Sequence, residues 1–207
     1  MMLESWIAFV VASTILLLVP GPTITIVVSY ALARGRSSAW ATVSGATLGD
    51  FTAMTVSLAG TGAVLAASAT SFTALKLLGA AYLIWLGIQL WRADPSAARD
   101  ATNERESSTA SMFWNCYVVT ALNPKSIVFF IAFVPQFVNS GEPVLMQFVI
   151  LAVTFLILAA TTLTVWATLA GNLRAGLQKP CAVRAMNRIG GSFLIVAGLL
   201  TIAARRA

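Results

Sequence analysis

The sequence has no histidine, two cysteines and few charged side chains. Asp, Glu, Lys and Arg make up 10% of its 207 residues, against about 25% in a typical soluble domain. A soluble protein of this length could not cover its surface with so few charges. A soluble enzyme and a disordered chain are therefore excluded. The absence of histidine also removes the side chain most often used for proton transfer and for zinc binding, and we expect no cofactor and no metal.

Cys116 lies in an apolar run and Cys181 in a polar stretch, and neither belongs to a C-x-x-C pair. This pattern predicts two thiols rather than a disulfide. A secreted domain held together by disulfides is excluded as well.

Apolar residues are abundant, at 58% of the chain. A membrane-spanning helix needs about 20 of them, so six helices would use about 120, which is also the apolar content. The sequence predicts an all-α integral membrane protein with six transmembrane helices. A signal peptide begins with basic residues, whereas this N-terminus carries Glu4, and residues 5–33 carry no charge. We therefore expect the first helix to be retained rather than cleaved as a signal peptide. The predicted helices cover residues 6–32, 39–66, 72–91, 112–138, 144–171 and 189–204.

The basic residues are distributed unevenly between the two sides of this arrangement. Nine of them fall in the segments that connect helices 1 and 2, helices 3 and 4, and helices 5 and 6 (connections 1–2, 3–4 and 5–6). Connection 5–6 is predicted to be a basic loop. Only Arg205 and Arg206 fall on the other side. The positive-inside rule then places these three connections in the cytoplasm and both termini outside. The net charge of +6 is thus a topology signal, and the expected partner is the lipid bilayer, not nucleic acid.

The two halves of the sequence resemble each other. Residues 79–87 and 190–198 share two glycines, an aromatic residue and a Leu-Ile pair, while Pro20 of helix 1 matches Pro124 of helix 4. Because each half has three helices, an odd number, the second must enter the membrane from the opposite side. We therefore predict two inverted-topology three-helix repeats, a common plan of secondary transporters. Their predicted bounds are 1–95 and 112–207, with a polar cytoplasmic linker at 96–111.

Helix 1 is interrupted by Pro20, Gly21 and Pro22. A proline has no N–H and frees the carbonyl four residues earlier, here those of Leu16 and Leu18. Broken backbone is tolerated in a membrane only where protein or a water-filled cavity satisfies it.

Helix 4 is interrupted at the matching place by Asn123, Pro124 and Lys125. Paired breaks indicate a transporter's binding site, and the N-terminus of each new half-helix suits an anion such as a carboxylate. A packing kink is the alternative reading of each break.

Asp50 is the sole acidic residue within any predicted span. A charge at mid-membrane costs at least about 2.5–3.5 kcal/mol, so we predict that Asp50 carries a proton or holds a substrate ammonium. Lys125 is a candidate partner for Asp50 or for a substrate carboxylate. Lys76 is either a second candidate for these roles or an anchor whose aliphatic stem reaches the membrane interface. A purely structural pair of Asp50 with either lysine stays open.

Small residues at close spacing predict tight helix packing. Gly45 and Gly49 lie four residues apart just before Asp50, and we expect them to bring a neighbouring helix against it. Gly79 and Gly190 are predicted to serve packing in helices 3 and 6.

Taken in order along the chain, these motifs resemble the LysE/RhtB family of amino-acid exporters over nearly the whole sequence. The resemblance implies export of amino acids across the bacterial inner membrane by proton antiport, the substrate being neutral (threonine, homoserine or leucine) or basic (lysine). A homodimer is kept open as well. The motifs are Pro20-Gly21-Pro22, Gly45-x-x-x-Gly49-Asp50, Lys76-Leu-Leu-Gly79-Ala-Ala-Tyr82-Leu with Gly87, and Asn123-Pro124-Lys125 followed by Phe129-Phe130 and Pro135-Gln136-Phe137.

Three other classes of function fit these residues less well. An exporter of inorganic cations would usually carry several His, Cys, Asp or Glu ligands in the membrane, and here Asp50 and Cys116 are the only candidates. A non-transporting subunit of a membrane complex would not need matched breaks. An intramembrane enzyme needs a second acid or a Ser-His pair, and the sequence supplies neither.

Overall fold

A computed structural model of the chain describes residues 3–19, 21–67, 69–92, 108–139, 141–177 and 180–203. These residues form eight α-helices and two short 3₁₀ turns, at Arg36–Ser38 and Val134–Phe137, and they contain no strand. The helices are α1 (Leu3–Leu18), α2 (Pro22–Arg34), α3 (Ala39–Ala67), α4 (Ala69–Arg92), α5 (Thr109–Ala121), α6 (Pro124–Ala132), α7 (Val144–Leu177) and α8 (Pro180–Ala203).

Both predicted breaks are confirmed. Helices α1 and α2 meet at 55°, and α5 meets the α6 segment at 44°. Pro22 and Pro124 each begin the second helix of their pair, where a proline fits because the first N–H of a helix has no partner. The prolines therefore end one helix and start the next without interrupting the hydrogen bonds of either.

Two predicted helix ends were wrong, and the basic loop between them is much shorter than predicted. Helix α7 continues to Leu177 instead of residue 171, and α8 begins at Pro180 instead of residue 189. Arg174, Arg184 and Arg188 are consequently helical. Arginine is a good helix former, so falling hydrophobicity at these positions marks the end of an apolar segment and not the end of a helix.

The last residues of the predicted polar linker are also helical. Helix α5 begins at Thr109, because the Ser108 hydroxyl caps it by accepting a hydrogen bond from the Ser111 N–H at 3.1 Å. The rest of the predicted linker, apart from this cap, lies outside the described residues.

The surface of the helices is largely apolar. Trp40, Leu145 and Leu78 are 87%, 77% and 70% exposed, as expected of side chains that face lipid. Within the described ranges, Val144–Ala170 alone is long and apolar enough to cross a membrane by itself, and each bent pair would add one span. The chain is a helical membrane protein, and its six-span arrangement remains a prediction.

Two apolar clusters form the interior. The first joins α1, α6 and α7 through rings such as Phe9, Phe129 and Phe155. The second joins α2, α3, α5 and α7 around residues such as Ile24 and Leu163. The breaks in α1–α2 and α5–α6 fall where one cluster gives way to the other.

The predicted glycine contacts place α3 against α5. A Cβ atom on Gly49 would lie 2.7 Å from the Tyr117 carbonyl oxygen, and one on Gly45 would overlap the Phe113 carbonyl. Asp50, the next residue after Gly49, is thereby held close to the α5–α6 chain. Both glycines of this pair therefore face the backbone of α5.

Helix α4 packs in the same way on two neighbours. A Cβ on Gly79 would lie 2.9 Å from the Ala132 methyl group of α6. Gly87 of α4 and Gly191 of α8 face each other's backbone, a Cβ on either lying 2.6 Å from the other's carbonyl oxygen. The packing environment of Gly190 lies outside what the structure describes.

The Gly45 contact predicts the effect of a single added methyl group. Gly45→Ala should destabilise the protein by about 1–3 kcal/mol, the usual cost of overpacking, because the Phe113 backbone occupies the space. Gly60→Ala in the same helix is the matched control, since nothing lies within 4 Å of its added Cβ. Thermal unfolding of the purified protein in detergent measures both. Equal melting temperatures for the two variants would contradict the contact.

Candidate substrate site at the two helix breaks

The carbonyl end of α1 is occupied by the side chain of Lys125. Residue 20 is a proline whose position lies outside the described residues, and as a proline it has no N–H to give to the Leu16 carbonyl. The Lys125 Nζ donates to Leu16 O at 3.2 Å, which also accepts from the Val19 N–H at 3.3 Å, and to Val19 O at 3.0 Å. A cation thus contacts two backbone oxygens at the break.

Gly21 makes this approach possible. Its backbone is extended, with φ −157° and ψ −177°, a conformation open to any residue. A Cβ at this position would, however, lie 3.2 Å from the Lys125 Nζ. The glycine therefore leaves the space that the ammonium takes, whereas its own backbone conformation does not call for glycine.

Asn123 caps the start of α6. Its side-chain oxygen accepts from the Lys125 N–H at 3.1 Å, and its Nδ2 donates to the Thr23 hydroxyl at 3.2 Å. The Thr120 hydroxyl also donates to Thr23, at 3.2 Å. Thr23, in the first turn of α2, thereby connects the two breaks directly.

Asp50 reaches the same place from α3. It is 3% exposed and lies eleven residues after the helix begins at Ala39, or about 16 Å along the axis. The Ser126 side chain and the charge of Lys125 both act on its carboxylate. The sole acid of the predicted spans and the lysine of the second break therefore face each other.

A small cavity lies between these groups. Its volume is about 20 Å³, and Leu16, Ile24 and Leu163 line its apolar part. Such a space holds one water molecule, for which about 10–15 Å³ suffices, and is far too small for an amino acid. The cavity in this structure therefore has no room for such a molecule. The polar groups that line the cavity are Thr23, Asp50, Asn123, Lys125, Ser126 and Thr162.

Sequence reasoning found part of this group. The structure brings Asp50, Asn123 and Lys125 together, and Gly21 touches the lysine. Pro22 and Pro124 are exposed and act on the backbone only.

Two predicted residues are not placed at the site by the described structure. Pro20 lies outside the described residues, and Lys76 lies in α4 with its side chain outside what is described. Sequence reasoning missed Thr23, Thr120 and Ser126. The only available signal for Thr23 was its position directly after the first break.

The role of Thr23 leads to a stability prediction. Thr23→Val removes the acceptor of two partly buried hydrogen bonds, each worth about 1 kcal/mol, and should lower the melting temperature clearly. Thr25→Val, at an exposed position of the same helix, is the matched control. Thermal unfolding of both variants tests the bridge, and the bridge is refuted if Thr23→Val is as stable as its control.

Comparison with known proteins identifies the family. The profile described as LysE type translocator matches residues 14–204. A homoserine/homoserine lactone efflux protein of Salmonella typhimurium is 36% identical over 208 residues, covering 100% of both chains. A membrane protein of Vibrio cholerae is 32% identical, with 97% of each chain covered. A leucine efflux protein of Klebsiella pneumoniae is 29% identical over 76% of this chain and 71% of its own.

No solved structure matches the chain. The profile and the relatives each cover most or all of the sequence. The chain belongs to the LysE family of membrane translocators and is a transporter rather than an enzyme.

Proposed function

We propose that this protein exports neutral amino acids across the bacterial inner membrane in exchange for protons. The observation that carries the proposal is the meeting of Asp50 and Lys125 at a cavity where both broken helices end. The efflux proteins for homoserine and leucine among the relatives support amino acids as the cargo.

The substrate carboxylate has a better place at α2 than at α6. Both helices begin at the cavity, and the N-terminus of a helix attracts anions through its unpaired N–H groups. Asn123 already caps α6, whereas Gly21 gives α2 no side-chain cap. The N–H groups of Thr23 and Ile24, two residues that line the cavity, would receive the carboxylate.

The charges at the cavity favour a substrate with no net charge. Asp50 can receive the substrate ammonium, and it is the one acid among the residues that line the cavity. A second positive charge, as on lysine, would have no acid there to pair with, and an unpaired buried charge is costly. A zwitterion with an apolar or hydroxyl side chain fits Leu16, Ile24 and Thr162 better.

Export then follows from a change in the protonation of Asp50. An amino acid binds from the cytoplasm with its ammonium on the ionised carboxylate. Protonation of Asp50 from the outer side removes this attraction and releases the substrate outward. Loss of the proton to the cytoplasm restores the site for the next cycle.

The proposed transporter consists of two inverted repeats, residues 1–95 and 112–207, that move against each other about the site. The helix contacts support this plan. The first broken pair, α1 and α2, packs on α7. The second broken pair, α5 and α6, packs on α3, which is the counterpart of α7 in the first half. Helix α4 packs on its own counterpart, α8. Exchange of the two halves would leave this pattern of contacts unchanged.

Transport can be tested in everted vesicles with an acidified interior. Neutral amino acids should collapse the pH gradient, and Asp50→Asn should slow this by at least about tenfold, because loss of a buried charge partner costs about 2–5 kcal/mol and 1.4 kcal/mol is a factor of ten. Glu142→Gln, at an exposed acid away from the cavity, is the control and should behave as wild type.

The same assay separates the alternatives. Collapse by Cd²⁺ alone would replace the proposal with export of inorganic cations. No response to any amino acid, in vesicles that contain folded protein, would favour a non-transporting subunit. Unchanged pH dependence in Asp50→Asn would overturn the role of Asp50.

The orientation is testable with a native cysteine. Cys181 is exposed in the first turn of α8, while Cys116 is buried; both keep their thiols, as predicted. If connection 5–6 is cytoplasmic, a membrane-impermeant maleimide should label Cys181 in everted vesicles and not in intact spheroplasts. Cys181→Ser, which leaves Cys116 in place, is the control for specificity. Labelling from the outside would reverse the proposed topology.

A further inference from the structure

A cation already sits at the carbonyl end of the first broken helix. The last carbonyls of a helix carry partial negative charge, and in transporters with broken helices such carbonyls coordinate the coupling cation. Here the Lys125 Nζ takes that position, 3.2 Å from Leu16 O and 3.0 Å from Val19 O.

The surroundings of the Nζ resemble those of a bound cation. Two backbone oxygens contact it, Asp50 supplies the counter-charge from α3, and Gly21 leaves the space that the ammonium fills. Leu16 and Val19 are 1% and 3% exposed, so water reaches this place poorly. Asp50 and Lys125 are the titratable groups that line the cavity, from α3 and α6, and the lining residues of α1, α2 and α7 carry no charge.

We propose that Lys125 is a built-in cation, whose ammonium occupies a site at Leu16 O and Val19 O that would otherwise bind a free monovalent cation. The lysine comes from the second broken pair and the oxygens come from the first. The ammonium therefore also fastens the two breaks to each other in this structure.

The proposal has a consequence for energy coupling, and this consequence rests on the proposed function. A transporter whose cation site is filled by its own side chain needs no sodium ion to complete that site. Wild-type export should therefore be equally fast in sodium and in choline buffers.

Removal of the lysine side chain should expose the cation site. Lys125→Ala lacks the four heavy atoms Cγ, Cδ, Cε and Nζ, which together are an n-propylammonium ion. The variant should melt about 5 °C or more below wild type, and n-propylammonium chloride should restore at least half of the loss. The wild-type melting temperature should not respond, because its site is filled.

Three controls separate a cation site from general effects. n-Propanol has the same shape without the charge, and tetramethylammonium has the charge without an N–H donor, so neither should restore stability. Lys125→Met fills the space of the stem and should not respond to n-propylammonium. The proposal is overturned if Lys125→Ala melts with wild type, or if n-propanol restores it as well as n-propylammonium does.

A second variant keeps the test decisive if Lys125→Ala does not fold. Gly21→Ala retains the lysine but places a methyl group 3.2 Å from its Nζ, and it should melt below Gly60→Ala, whose added methyl group contacts nothing. Equal melting temperatures for these two variants would mean that the ammonium is not held at this place. None of these stability measurements involves an amino acid. Failure of the vesicle assay would therefore leave them valid, and their failure would leave amino-acid export untouched.

Discussion

The carbonyl oxygens at the end of α1 need hydrogen-bond donors, and the Lys125 ammonium is a donor that two of them share. Lipid offers no water to broken backbone, so a break in a membrane helix persists only where another part of the protein satisfies it. Because the donor comes from the second break, the start of α6 has to lie beside the end of α1. Asp50 then has to balance the charge, and Gly49 lets α3 approach closely enough to bring it there.

The same contacts define what must change when the site opens. If an amino acid binds here as proposed, the cavity of about 20 Å³ admits it only after the two broken pairs have separated. That movement has to release the hydrogen bonds of Thr23 and those between Lys125 and the α1 carbonyls.

The sequence predicted the helices and the two breaks because proline and long apolar runs have local, unambiguous effects on a chain. It also predicted the contact at Gly45 and Gly49, since close spacing of small residues acts through simple geometry. The contact of Lys125 with the Leu16 carbonyl was not predictable, because the two residues are 109 positions apart. Only the fold brings them together. Thr23 carried no signal of its own, as a threonine in an apolar helix is common. The start of α8 was misplaced because its arginines indicate the membrane boundary and not the helix boundary.

If the two halves are repeats as proposed, the contact between Gly21 and the Lys125 Nζ limits how alike they can be. Under the alignment that pairs Pro20 with Pro124, these two residues occupy the same position in their respective halves. Two identical halves would place either two lysines in one space or two glycines with no ammonium at all. Joining both halves in one gene allows one copy to keep the charge and the other to keep the room for it. Under the proposed repeat, divergence at this single pair of positions is thus a condition for the contact between the two breaks.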